Sequence, residues 1–97
     1  MKIGRVVGTV VATRKSPKLE GTKLLLIEEC GVDGKPKGSF VVAADTVQAG
    51  AGETVLFVSG SSARMAYPRE GTPIDAAVSA VIDAIEYGGE VRKPNAL

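Results

Sequence analysis

The stretch Val55-Leu56-Phe57-Val58-Ser59-Gly60-Ser61-Ser62-Ala63-Arg64 decides how this chain is read. An apolar run of strand length enters a small polar turn and ends on an arginine. Such a turn can present a serine nucleophile, wrap N–H groups around an anion, or line a narrow opening where subunits meet. Serine chemistry needs a base to take the hydroxyl proton, and the chain has no histidine. The Gly-x-Ser-x-Gly elbow fails at its last place, which is Arg64 here, and no Ser-x-x-Lys pair lies nearby. An enzyme is therefore not expected. An anion held by Arg64 and the turn's N–H groups stays open, as does an opening shared by several copies.

Working outward, Ile3 to Thr13 reads as a strand with Gly4 and Gly8 set among its apolar residues. Glycines inside a strand mark sharp coiling or close backbone approach, as in a small barrel. Arg14 to Thr22 is charged and rich in turn formers, an exposed loop suited to contacts. Lys23 to Glu29 and Ser39 to Ala44 read as further strands around the Asp33-Gly34 turn. Asp45 to Glu53 is a turn region of small residues, and Thr54 to Ser59 is the fourth strand.

Gly60 to Gly71 reads as a loop. Thr72-Pro73 then resembles a helix start, with Asp75 near the positive end of the dipole. Ile74, Ala77, Val78, Val81, Ile82 and Ile85 recur at helical spacing, and Gly88-Gly89 supplies a stop. The spacing predicts a helix over about 72–87, a short strand over 90–92 and a flexible tail over 93–97. The fold class expected is mainly β: a five-stranded, OB-like barrel with that helix packed against it.

Composition narrows the function. With 97 residues the chain fits one domain, and 44% hydrophobic against 4% aromatic residues means an aliphatic core. A domain this small has little stability to spare, so association with copies of itself would help. The net charge of +1 gives no case for nucleic acid or an anionic membrane. No apolar run reaches the roughly 20 residues of a membrane span. Met1 to Thr9 lacks a signal-peptide core, so the protein is expected to stay where it is made. Cys30 is single, which fits a reducing compartment, and it reads as a small residue at a strand end rather than a reactive thiol.

No metal or other cofactor is expected. Glu28 and Glu29 are adjacent and point to opposite faces of a strand, and Asp45, Asp75 and Asp83 have structural readings. Gly34-Lys35 and Gly50-Ala51-Gly52 are only fragments of phosphate-binding patterns. An OB-type barrel keeps one alternative alive, single-stranded nucleic-acid binding. That function wants a basic groove with stacking aromatics, and here only Phe40, Phe57, Tyr67 and Tyr87 are aromatic.

Five segments, in order, carry a resemblance: Arg5 to Val11, Leu19 to Leu26, Val42 to Glu53, Val58 to Arg64, and Pro73 to Ala77 with the apolar run after it. Together the chain resembles the vertex-protein family of bacterial microcompartment shells, found in carboxysomes and in ethanolamine- and propanediol-type compartments. It departs at Gln48, where the family commonly has Gly, and at Met65, where it has Gln. The resemblance implies one vertex-protein domain over 1–97 in a homopentameric ring. The ring would plug the fivefold corners of a shell in the bacterial cytoplasm, beside hexameric facet proteins, without nucleic acid or membrane. It also implies that Gly60, Ser61, Ser62, Ala63 and Arg64 face or support a central channel. Arg64 would then favour anions or brace the ring. Asp45, Gly50 and Gly52 are the subunit-interface candidates, and Arg14, Lys15 and Lys18 the facet-contact candidates.

Overall fold

In the computed structural model, which describes residues 1–95, five strands close into a barrel. They are β1 (Lys2–Val10), β2 (Leu24–Cys30), β3 (Pro36–Asp45), β4 (Thr54–Ser59) and β5 (Ala76–Val81), ordered β1-β2-β3-β5-β4. A short helix, α1, covers Ser61–Ala66, and a 3-10 turn covers Pro17–Leu19. Strands β6 (Ile85–Tyr87) and β7 (Glu90–Arg92) form a separate two-stranded hairpin. The mainly β, OB-like barrel with one helix is therefore present, but the helix sits in the predicted loop at 61–66 and not over 72–87.

The residues read as helical are barrel strand β5, followed by β6. A strand buried on one face alternates visibly, but one buried on both faces does not, and its apolar run also satisfies a helical spacing. Ala76, Ala77 and Val78 are all buried. Ala76 and Val78 point into the barrel beside Val6, Leu25, Ile27, Val55 and Phe57. Ala77 points outward, under α1, beside Ala44, Ala63 and Ile74. Thr72 is no helix cap either: its hydroxyl donates to the Arg69 carbonyl (3.0 Å) and accepts from Arg69 Nε (3.1 Å). The 90–92 strand exists as β7, but it pairs with β6 outside the barrel.

Strand β5 completes the closure. It pairs antiparallel with β4 and parallel with β3, at Ala44–Ala77 and Asp45–Val78. Small side chains on β3 and β5 let these strands meet where the parallel and antiparallel pairings join. Gly4 shows how tight the opposite wall is. A Cβ there would overlap Ile27 Cγ2 and lie 3.0 Å from both the Glu28 carbonyl and the Phe57 ring. The coiling read from glycine in β1 is a backbone packed against an aromatic ring.

The segment expected to be a loose tail is held at Asn95. Its side chain accepts from Thr54 N–H (2.6 Å) and donates to the carbonyls of Thr54 (2.8 Å) and Ile82 (2.9 Å). The end of that expected tail, residues 96 and 97, lies outside the described residues.

Gly4→Ala is expected to destabilise the barrel by about 1–3 kcal/mol, because overpacking a filled site displaces neighbours. A urea titration followed by circular dichroism checks it; an unchanged midpoint would contradict the packing described.

Candidate functional site

Strand β4 leaves the barrel at Ser59, and Gly60 turns the chain into α1. Gly60 has φ 68° and ψ −146°, a region open essentially to glycine. Its N–H donates to the Asp75 carbonyl (2.7 Å), which pins the turn to the start of β5. Ala63 is the buried foot of the helix, seated on Ala44, Ile74 and Ala77. A larger side chain there would lift α1 off the wall. Ser61, Ser62 and Arg64 stay exposed. Arg64 Nη1 donates to its own protomer's Ile74 carbonyl (3.3 Å). The polar turn of the sequence is thus one side of a short helix, with hydroxyls outward and a methyl group inward.

The Ser61 and Ser62 hydroxyls have no side-chain base within hydrogen-bond distance among the described residues, and no group of His, Cys, Asp or Glu side chains there is arranged to hold a metal ion. Of the aromatics, Phe57 is buried in the core, Tyr67 is half-buried, and Phe40 and Tyr87 are exposed on different elements.

The 45–53 region folds back on β1. Gly52 N–H donates to the Val6 carbonyl (2.7 Å), and Val6 N–H donates to the Glu53 carbonyl (2.9 Å). Asp45 organises this turn from inside. Its Oδ1 accepts from Val47 N–H (3.1 Å) and Ala49 N–H (3.3 Å), and Lys23 lies 3.6 Å from Oδ2. The Asp45 carboxyl is only 2% exposed, so this residue shapes the turn while Gly50 and Gly52 form its exposed rim.

Arg14, Lys15 and Lys18 are all exposed. Lys15 Nζ reaches the Ala12 carbonyl (3.1 Å), and Lys18 N–H donates to Ser16 Oγ (3.3 Å) at the 3-10 turn. Arg69 fixes this loop. Its guanidinium donates to the carbonyls of Lys18 and Glu20 (2.5 Å each) and to Thr22 Oγ1 (2.9 Å). Tyr67 adds a bond from its hydroxyl to Thr22 Oγ1 (3.1 Å). Neither role was visible in the sequence, because Arg69 lies in an irregular segment whose partners are about fifty positions away.

Three comparisons bear on this geometry. Residues 1–83 match the family model described as "Ethanolamine utilisation protein EutN/carboxysome". The chain belongs to this family. It is 43% identical over 91 residues to the microcompartment shell vertex protein EutN of Escherichia coli K12, covering 94% of this chain and 96% of that one. The structure of Gloeobacter violaceus CcmL superposes with a TM-score of 0.88 at 43% identity, covering 94% of each chain. That of GrpN from Rhodospirillum rubrum, a pentameric microcompartment shell protein, superposes at 0.80 with 45% identity, covering 90% of this chain and 98% of that one.

The backbone at Gln48 is strained. Gln48 has φ 58°, the one non-glycine residue at positive φ among the described residues. A side chain in the left-handed region costs roughly 1–2 kcal/mol. Gln48→Gly is expected to remove that strain and give a net stabilisation of about 1 kcal/mol or less, since glycine also loosens the unfolded chain. A higher urea midpoint with an unchanged slope is the expected reading; a lower midpoint would contradict it.

Cys30 is buried, and burial pushes its thiol above the ordinary value of 9.0, against a smaller opposing pull from Arg5. The folded state therefore holds the thiol proton more tightly than the unfolded chain. The stabilisation is complete below the unfolded value and is lost as pH rises through the folded one. Alkylation of Cys30 in the folded protein is expected to follow a pH curve displaced upward from that of the urea-unfolded protein. Coincident curves would refute it.

Proposed function

We propose that this chain is a structural shell protein. Five copies form a ring that caps a fivefold vertex of a bacterial microcompartment, in the bacterial cytoplasm. The observation that carries this reading is the agreement with GrpN, a pentameric shell protein, along nearly the whole chain at a TM-score of 0.80. Flat facets of hexameric proteins cannot close a polyhedron by themselves, and a fivefold unit at each corner supplies the curvature.

Within this reading, Gly60 to Arg64 surrounds a narrow central opening. Exposed Ser61 and Ser62 supply a hydroxyl lining that is small enough to repeat about an axis without clashing. Arg64 braces its own protomer through the Ile74 carbonyl, which favours a stiffening role over anion capture. Gly50 and Gly52 lie at the subunit interface as a side-chain-free rim, and Asp45 holds that rim in shape. Arg14, Lys15 and Lys18 face the hexameric neighbours on a loop that Arg69 keeps in place. Among the described residues the serines have no base beside them, so a non-catalytic role fits the site best.

Light scattering is expected to give a particle mass close to five times 10.0 kDa, and electron micrographs to show fivefold rings. Ser61→Ala with Ser62→Ala is expected to assemble unchanged, since the hydroxyls line the opening and do not hold it together. A monomer across a wide concentration range, or a ring of another order, would overturn the proposal.

A further inference from the structure

Two buried side-chain polar atoms lack a hydrogen-bond partner among the described residues: Arg5 Nε and Thr54 Oγ1. They are neighbours. Arg5 stands directly opposite Thr54 in the β1–β4 ladder. Gly4 faces Ile27 and Phe57, and Val6 lies in the core, so Arg5 between them points outward. Val55 and Phe57 point into the core, so Thr54 points outward as well. The two side chains rise from one face at one register position.

The backbone around Thr54 brings them closer still. Thr54 N–H donates to Asn95 Oδ1 (2.6 Å), and the Thr54 carbonyl accepts from Asn95 Nδ2 (2.8 Å) and Ile82 N–H (3.0 Å). Both backbone polar groups of Thr54 are thus engaged on the side away from β1. That makes Arg5 and Thr54 a non-hydrogen-bonded pair, the kind in which opposed Cα atoms stand only about 4.5 Å apart. Asn95 closes this edge past the end of β5, and Thr54 is 2% exposed although it lies on the outer wall. Its hydroxyl has no bulk solvent to bond. A buried donor or acceptor without a partner is costly, and more so on a charged group. Two such atoms side by side call for one partner that serves both.

We infer that Arg5 and Thr54 form a binding site for one internal water molecule. The water accepts from Arg5 Nε–H and donates to Thr54 Oγ1, so a single ligand satisfies both atoms. Joining polar groups that the chain cannot join directly is the ordinary task of a buried water. The charge around the site favours a neutral ligand over an anion. Glu28 faces Arg5 from the other side, across β1 and β2, and its carboxylate repels a second negative charge at the same guanidinium. The bridge ties β1 to β4 on the outer wall, beside the edge that Asn95 closes. It belongs to the folded protomer and does not depend on how many copies associate.

The test uses the whole chain, with every variant unfolded in urea at one protein concentration. Thr54→Val keeps the shape of the side chain and removes the hydroxyl. It should lower the ratio of folded to unfolded protein about tenfold, because it breaks a bonded site. A hydroxyl with no partner predicts the opposite, since its loss removes a penalty; an unchanged or higher midpoint overturns the inference. Arg5→Lys keeps the charge and puts a methylene where Nε lies. The two substitutions together should lose clearly less than the sum of their separate losses, as groups sharing one ligand do; additive losses overturn the bridge. Raising chloride at constant ionic strength should leave the midpoint of the unaltered chain in place. A midpoint that climbs with chloride, and no longer does so in Arg5→Lys, replaces the water with an anion. A crystal structure fine enough to show ordered solvent should place a water within hydrogen-bond distance of both atoms. It decides alone if Thr54→Val does not fold: a direct Nε–Oγ1 contact, or no water touching both, overturns the site.

Discussion

The closure of the barrel depends on β5 fitting between β3 and β4. That slot is narrow on both sides: inward lie Val6, Leu25, Ile27 and Phe57, and outward lie Ala44, Ala63 and Ile74 under the helix. Two alanines, Ala76 and Ala77, and Val78 fill it. Ala76 and Ala77 are there because the wall and the helix leave no room for more, and dispersion contacts from every side replace the bulk that aromatic residues would bring. One strand thus couples the interior of the barrel to the element that carries the candidate site. A change at Ala77 would be felt by the barrel and by α1 together.

Around this closure the irregular segments are held by polar contacts rather than by apolar burial. Asn95 spans the Thr54 peptide and Ile82, Asp45 gathers two N–H groups of its turn, and Arg69 binds three acceptors of the 18–22 loop. Each satisfies backbone groups that would otherwise be exposed or unpaired, which is the usual reason that long connections keep one shape. The consequence for function is rigidity. A protomer with fixed loops can meet its neighbours without first ordering them, so less conformational entropy opposes assembly.

Much of this architecture was legible in the sequence. Strands β1 to β4 show apolar runs of strand length separated by turn signals, with interior glycines in β1, and the order of the motifs carries the family resemblance. Strand β5 was not legible as a strand, because burial on both faces erases the alternation that distinguishes strand from helix. Helix α1 was missed for the opposite reason: Ser61 to Ala66 is too short to show a period, and it forms because Ala63 has a pocket to occupy and Gly60 can take the bend. The long-range partners of Arg69 and Asn95 leave no local trace at all. Within Gly60 to Arg64 the residue that anchors the helix, Ala63, is the least conspicuous in the sequence.

The positions of the tyrosines have a practical corollary. The chain has no tryptophan, and both tyrosines lie outside the barrel, Tyr67 just after α1 and Tyr87 on the projecting hairpin. The aromatic side chain inside, Phe57, emits too weakly to dominate. Ultraviolet emission from this protein therefore reports on the segment crossing the wall and on the protruding ribbon, while the aliphatic interior is spectroscopically silent.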